Sequence, residues 1–156
     1  MSNENFKCGI TIEKYFGSDT VVEIPAKIGG VPVTKISAWA FNDCQISLFE
    51  EKGILEEIYI PQYVEYIGEY AFWNCSNLTK ITIASEYPIH IAETAFAGCE
   101  NLSEIVITAN RSIEINFEAL EKWCNIERVY IDTDNWSYAS VKETFGENPQ
   151  FEILLE

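Results

Sequence analysis

Apolar and polar positions recur along this chain as a short repeated phrase. Leu55, Ile58 and Ile60 return as Leu78, Ile81 and Ile83, then as Leu102, Ile105 and Ile107, and finally as Ile126, Val129 and Ile131. The offsets between matching residues are 23, 24 and 24. Each phrase ends on β-branched residues at every second position, which predicts a short strand. A second phrase travels with the first: Ile67, Ala71, Phe72 and Cys75 are followed by Ile91, Ala95, Phe96 and Cys99, and in reduced form by Ile115, Ala119 and Leu120. Its apolar spacing of one, three and four predicts a single helical or 3-10 turn. Val22 and Ile24, with Ile36, Ala40, Phe41 and Cys44, make a stretched first copy. No copy can bury its apolar face alone, so the copies must stack, with Ile60, Ile83, Ile107 and Ile131 in one buried row.

The combination of Leu-x-x-Ile-x-Ile, an isoleucine seven or eight residues on, and Ala-Phe-x-x-Cys-x-x-Leu resembles the BspA-like leucine-rich repeats of bacteria over residues 20 to 131. The fold expected is therefore an α/β leucine-rich-repeat solenoid, right-handed, of about five coils, with a strand plus a short helix or 3-10 turn per repeat. The resemblance implies a protein-binding or surface-binding role and brings no catalytic residues. It also makes Ile10 to Thr20 look like the hairpin that caps such arrays. A single domain is expected, with an amino-terminal cap over 1–20, repeats over 21–131 and a carboxyl-terminal cap over 132–156.

Two stretches break the period. Cys75 to Leu78 and Cys99 to Leu102 span three residues, whereas Cys44 to Leu55 spans eleven. Ser37 can cap a helix through Phe41, Cys44 and Leu48, ended by Gly53, so a longer first helix with Glu50 and Glu51 outward is expected. Beyond Ile131, Ser140 to Phe145 reads as a short helix stopped by Gly146 and Pro149, and Phe151 to Leu155 as a last strand.

Charge narrows the partners. Asp and Glu number 25 against 10 Lys and Arg, a net charge of −15. That balance repels phosphate backbones and anionic lipid, so nucleic acid is excluded, and no apolar run is long enough for membrane insertion. The first eight residues carry neither a basic nor an apolar signal region. A cytoplasmic protein is expected as the chain is written, with the cell surface or secretion as the alternative if a precursor segment was removed.

The chemistry-bearing residues read blandly. Cys44, Cys75 and Cys99 share one repeat position, with Cys124 one residue late. Stacked side chains point along a line and do not converge as metal ligands must, so small, buried, reduced core cysteines are expected. His90, the only histidine, sits between Ile89 and Ile91 and is expected on the surface. Asp132, Asp134 and Asn135 resemble the start of a calcium loop, but Ser137 occupies the glycine position. Adjacent carboxylates such as Glu56 and Glu57 point to opposite faces of a strand. The sequons at Asn74, Asn77, Asn101, Asn110 and Asn135 are explained as turn residues, most clearly Asn77 and Asn101. No catalytic set, cofactor or metal is expected, and an enzyme is disfavoured.

What remains is a surface. In each strand the residues beside the inward isoleucines face out: Glu57 and Tyr59, Lys80 and Thr82, Glu104 and Val106, Arg128 and Tyr130. They form a two-column patch, with tyrosine and arginine supplying the residue types that dominate protein interfaces. A protein partner for this strand-lined face is the expected function, with a structural or adhesive fragment of a larger surface protein as the alternative.

Overall fold

Period-two alternation appears directly in the burial of the strands. The computed structural model describes residues 8–42, 54–108 and 118–131 and the strand Glu152–Leu155. Strands β2 (Val21–Glu23), β5 (Glu57–Ile60), β7 (Lys80–Ile83), β9 (Glu104–Ile107), β10 (Arg128–Ile131) and β11 (Glu152–Leu155) lie side by side, all parallel. Register follows the repeat: Ile58 pairs with Ile81, Ile81 with Ile105 and Ile105 with Val129. The stretched first copy is in phase, since Val22 pairs with Ile58. The expected last strand forms too, with Val129 paired to Ile153.

A second, parallel sheet runs in the order β1 (Ile10–Ile12), β4 (Val31–Ile36), β6 (Tyr66–Ile67) and β8 (His90–Ile91). It gathers the second row of isoleucines, pairing Ile36 with Ile67 and Ile67 with Ile91. The chain therefore winds as a β-solenoid, making about four turns within the described residues.

The core is a set of columns, one residue type per column. Ile60, Ile83, Ile107 and Ile131 are fully buried, as are Ile36, Ile67 and Ile91. Phe41, Phe72 and Phe96 stack ring on ring with centroids 4.8 and 4.9 Å apart, and Tyr15 closes the column 5.2 Å from Phe41. These separations match the spacing of neighbouring strands, so the coil pitch itself sets the stacking distance.

Three local expectations need correction. The Ala-Phe-x-x-Cys block is a chain of tight turns and not a helix. Amide hydrogen bonds reach back three residues, as from Trp73 to Tyr70, Cys75 to Phe72 and Cys99 to Phe96. In the first two copies the positive φ of Trp39 and Tyr70, 62° and 55°, interrupts the helical sense, and in the third the left-handed residue is Gly98, at 82°. Only the fourth copy, where Lys122 and Trp123 lengthen the block, makes a short helix, α1 (Glu118–Glu121). For the same reason Ser37 opens a turn and caps no helix: Ala40 N donates back to Ser37 O at 3.3 Å, and Trp39 then breaks the helical sense. Residues 43–53, where that helix was to continue, lie outside the described residues, as do Asp132 to Phe145.

The amino-terminal hairpin also falls elsewhere. Ile10–Ile12 joins the second sheet as a parallel strand beside Val33 to Ile36. The hairpin is formed by β3 (Lys27–Ile28) against Val31 and Pro32, through Gly29 and Gly30 with φ of 59° and 84°. Two successive positive φ values are what a two-residue turn of the primed type requires, and glycine adopts them without steric cost.

Candidate interaction surface

All eight residues expected to face outward are brought together by the register. One column reads Glu57, Lys80, Glu104 and Arg128, the other Tyr59, Thr82, Val106 and Tyr130. Glu23 extends the second column beyond Tyr59. In both columns the side chains shield one another, so most are half-buried while Tyr59 is exposed.

Electrostatics differ from the open charges the sequence implied. Lys80 Nζ lies 3.6 Å from the Glu57 carboxylate, and Arg128 donates to Glu104 at 2.7 Å. The Arg128 Nε is buried without an acceptor. Arg128 is thus engaged by its own sheet and is not a bare fork awaiting a partner's carboxylate. Half-exposed pairs of this kind contribute little stability, about 0–1 kcal/mol each. Their effect is to neutralise the column on an otherwise acidic protein. The contact area that remains is the uncharged stretch of the second column from Tyr59 to Tyr130.

Beside the strand entrances runs a shallow polar groove of about 560 Å³, lined by Glu56, Asn77, Thr79, Asn101, Ser103 and Glu127 among others. The sequence signal for it was the polar repeat position just before each strand, at Glu56, Thr79, Ser103 and Glu127, which strand periodicity alone does not weigh. Asn101 Nδ2 donates across to Ser76 O of the preceding coil at 2.6 Å, so this asparagine links neighbouring turns of the solenoid. Among the described residues no three His, Cys, Asp or Glu side chains converge as a metal site.

The thiols serve the core. Cys75 and Cys99 are fully buried, and each donates to the phenylalanine carbonyl of the preceding coil, Cys99 to Phe72 O at 3.1 Å and Cys75 to Phe41 O at 3.9 Å. A hydrogen bond with Cys75, then burial, holds the Cys99 thiol far above the ordinary thiol range. Burial pushes Cys124 up to about 12. These are poor nucleophiles and poor metal ligands, because both roles need the thiolate. Cys8 is exposed, and Cys44 lies outside the described residues. His90 is exposed and stacks on the Tyr66 ring at 5.6 Å, beside neither a carboxylate nor a nucleophile among the contacts shown.

The repeat is decisive for the family. Six copies of the BspA type leucine rich repeat region match residues 31–140. The chain belongs to this family. It is similar in structure to a leucine-rich repeat protein from Bacteroides capillosus, at 27% identity over 78% of this chain and 86% of that one, with a TM-score of 0.52. A leucine rich repeat protein of T. pallidum also aligns, at 21% identity over 78% of this chain and 63% of that one, with a TM-score of 0.43. No curated protein matches the sequence. As a BspA-type repeat, the chain is a repeat scaffold of a kind that mediates protein interaction. No helix among the described residues is long and apolar enough to cross a membrane.

Proposed function

We propose that this BspA-type repeat protein is a non-enzymatic interaction module whose protein partner docks on the two-column strand face. The observation that carries the reading is the register, which sets Tyr59, Thr82, Val106 and Tyr130 in one row on a rigid sheet. Rigid aromatic contacts lose little entropy on binding, and a neutralised charge column beside them avoids desolvating lone charges. Five right-handed coils belong to the same proposal, supported by a six-copy match longer than the described turns. So do the single domain with caps over 1–20 and 132–156, and a reducing compartment, which suits unpaired buried thiols.

The test is quantitative. A partner recovered with the wild-type protein is titrated against the Tyr59→Ala/Tyr130→Ala variant. Affinity should fall about tenfold or more, with the melting temperature nearly unchanged. Unaltered affinity would place the site on another face.

A further inference from the structure

A second surface stands out on the flank, where the turns between the two sheets carry aromatic residues. Trp39 and Trp73 are 43% and 41% exposed. Trp39 stacks on Tyr70 with centroids 4.6 Å apart, and meets Trp73 edge-on at 5.6 Å. With Tyr70 the two tryptophans gather three aromatic side chains on one flank, two of them exposed.

Backbone strain coincides with it. Among the described residues three non-glycine positions have positive φ: Trp39, Tyr70 and Asn74. Trp39 and Tyr70 occupy the same repeat position in successive coils. Thr94 occupies it in the next coil and is not left-handed. Bulky residues with a β-carbon avoid this conformation, and where the fold holds them in it, function is the usual context. At the Trp39 and Tyr70 position the positive φ goes with the aromatic residues, whereas at Asn74 it recurs at the repeat-equivalent Gly98.

The chain itself shows what such a ring takes. Two copies further on, Lys122 Nζ lies 5.3 Å from the Trp123 ring centroid and is paired with the Glu93 carboxylate. Trp123 Nε1 donates to the backbone carbonyl of Glu93 at 2.7 Å, fixing the indole beside that residue. Glu69 is the repeat equivalent of Glu93, each following the small residue after the second-row isoleucine. Glu69 is held next to Trp39 through the backbone alone, where the Trp39 amide donates to the Glu69 carbonyl at 3.1 Å. Here the indole comes from the preceding coil, where Trp123 comes from the following one. Glu69 is exposed, and among the described residues no cation pairs with it. Beside the cluster, the buried Asn42 Oδ1 accepts no hydrogen bond.

We propose that Trp39, Tyr70, Trp73 and Glu69 form a docking site for an arginine or lysine of a basic segment in a partner protein. The cation lies against the indole faces as Lys122 lies over Trp123, and Glu69 supplies the counter-charge. Arginine fits best, since its planar guanidinium stacks on aromatic faces and carries several donors. The net charge of −15 draws a basic segment and repels an acidic one. This site rests on the interaction-module reading for the kind of partner, but not on the strand face.

The test is calorimetric titration of the full chain with a peptide holding four arginines, beside a glutamine peptide of equal length and the neutral sugar cellopentaose. The arginine peptide should bind saturably. Trp39→Leu/Trp73→Leu, which leaves the charge unchanged, should weaken it about tenfold, and Glu69→Gln about threefold. Tyr59→Ala/Tyr130→Ala should leave this affinity unaltered even if it abolishes binding of a partner to the strand face. In the wild-type protein, the peptide should shift the indole N–H resonances of Trp39 and Trp73 more than that of Trp123. That readout needs no variant to fold. Equal binding by the folded indole variant would mean general attraction to an acidic surface, and would overturn the proposal. So would indole shifts produced by cellopentaose and not by the peptide, or by neither.

Discussion

Truncating Phe72 to alanine is the sharpest probe of how the solenoid coheres. Phe72 has no exposed surface and lies between Phe41 at 4.8 Å and Phe96 at 4.9 Å. Losing a buried phenylalanine ring costs about 3–5 kcal/mol in transfer and cavity energy. Each stacked contact adds about 0.5–1.5 kcal/mol beyond burial, and Phe72 makes two, so a cost of about 4–8 kcal/mol is expected. A domain is stable by only about 5–15 kcal/mol, so the variant should sit near its limit. Urea unfolding followed by circular dichroism measures the loss through the shift in midpoint at constant slope. The Cys99 hydrogen bond to the Phe72 carbonyl is a backbone interaction and survives the substitution, which isolates the ring. Phe72→Leu is the control, because Leu120 fills the equivalent place in the fourth copy. It restores apolar volume but neither stacked contact, so it should cost about 1–3 kcal/mol. A loss below about 2 kcal/mol for alanine, or no loss for leucine, would refute the view that stacked rings hold adjacent coils together.

Gly68→Ala should destabilise by about 1–3 kcal/mol in the same assay, since a new Cβ would lie 2.5 Å from Ala38 N in the neighbouring coil; a neutral result would mean the coils can separate there. Stability should be full below the ordinary thiol value of 9.0 and decline as pH rises from there towards about 12, because folded Cys124 keeps its proton while the unfolded chain releases it. Cys99, also raised, acts in the same sense, each thiol contributing about 1.4 kcal/mol per pH unit in that window; unfolding free energy that stays flat to about pH 11 would contradict this. Alkylation mapped by mass spectrometry should label Cys8 in the native protein, and Cys75 and Cys99 only after unfolding. Native labelling of Cys99 would remove it from the core.

Strand positions and core columns were legible because one physical constraint, the stacking of identical units, makes each apolar position repeat. Ile58, Ile81, Ile105 and Val129 share a row because a one-residue slip would turn every isoleucine outward. The turns were harder to read. Apolar spacing of one, three and four is shared by a helical turn and by linked tight turns. What separates them is φ at Trp39 and Tyr70, and nothing in the propensity of tryptophan or tyrosine foretells a positive value. Side-chain pairing across coils was partly legible: the alternation of Glu57, Lys80, Glu104 and Arg128 was visible, but not that these charges satisfy one another. The polar groove at Glu56, Thr79 and Ser103 escaped because it follows the position before the strand, which alternation leaves unassigned.

The same stacking constrains where a partner can be recognised. Each outward position recurs at the spacing of neighbouring strands, about 4.8 Å, so a column of like charges would repel itself. Alternating Glu57, Lys80, Glu104 and Arg128 removes that repulsion, at the expense of charges a partner might have used. A regular column therefore supplies area and rigidity more than selectivity. Selective contacts belong where the repeat is broken, because only there does the surface differ from coil to coil. Trp39, Tyr70 and Trp73 are such a break: the next copy carries Thr94 and Ala97 at their positions. Under the two proposals, the strand face would set orientation through shape and the aromatic flank would read a basic side chain. Two surfaces on adjoining sides of one rigid solenoid can be met by a single partner that bends around its edge. Their free energies combine in that case with little added entropy cost, since the spacing between them is fixed by the fold.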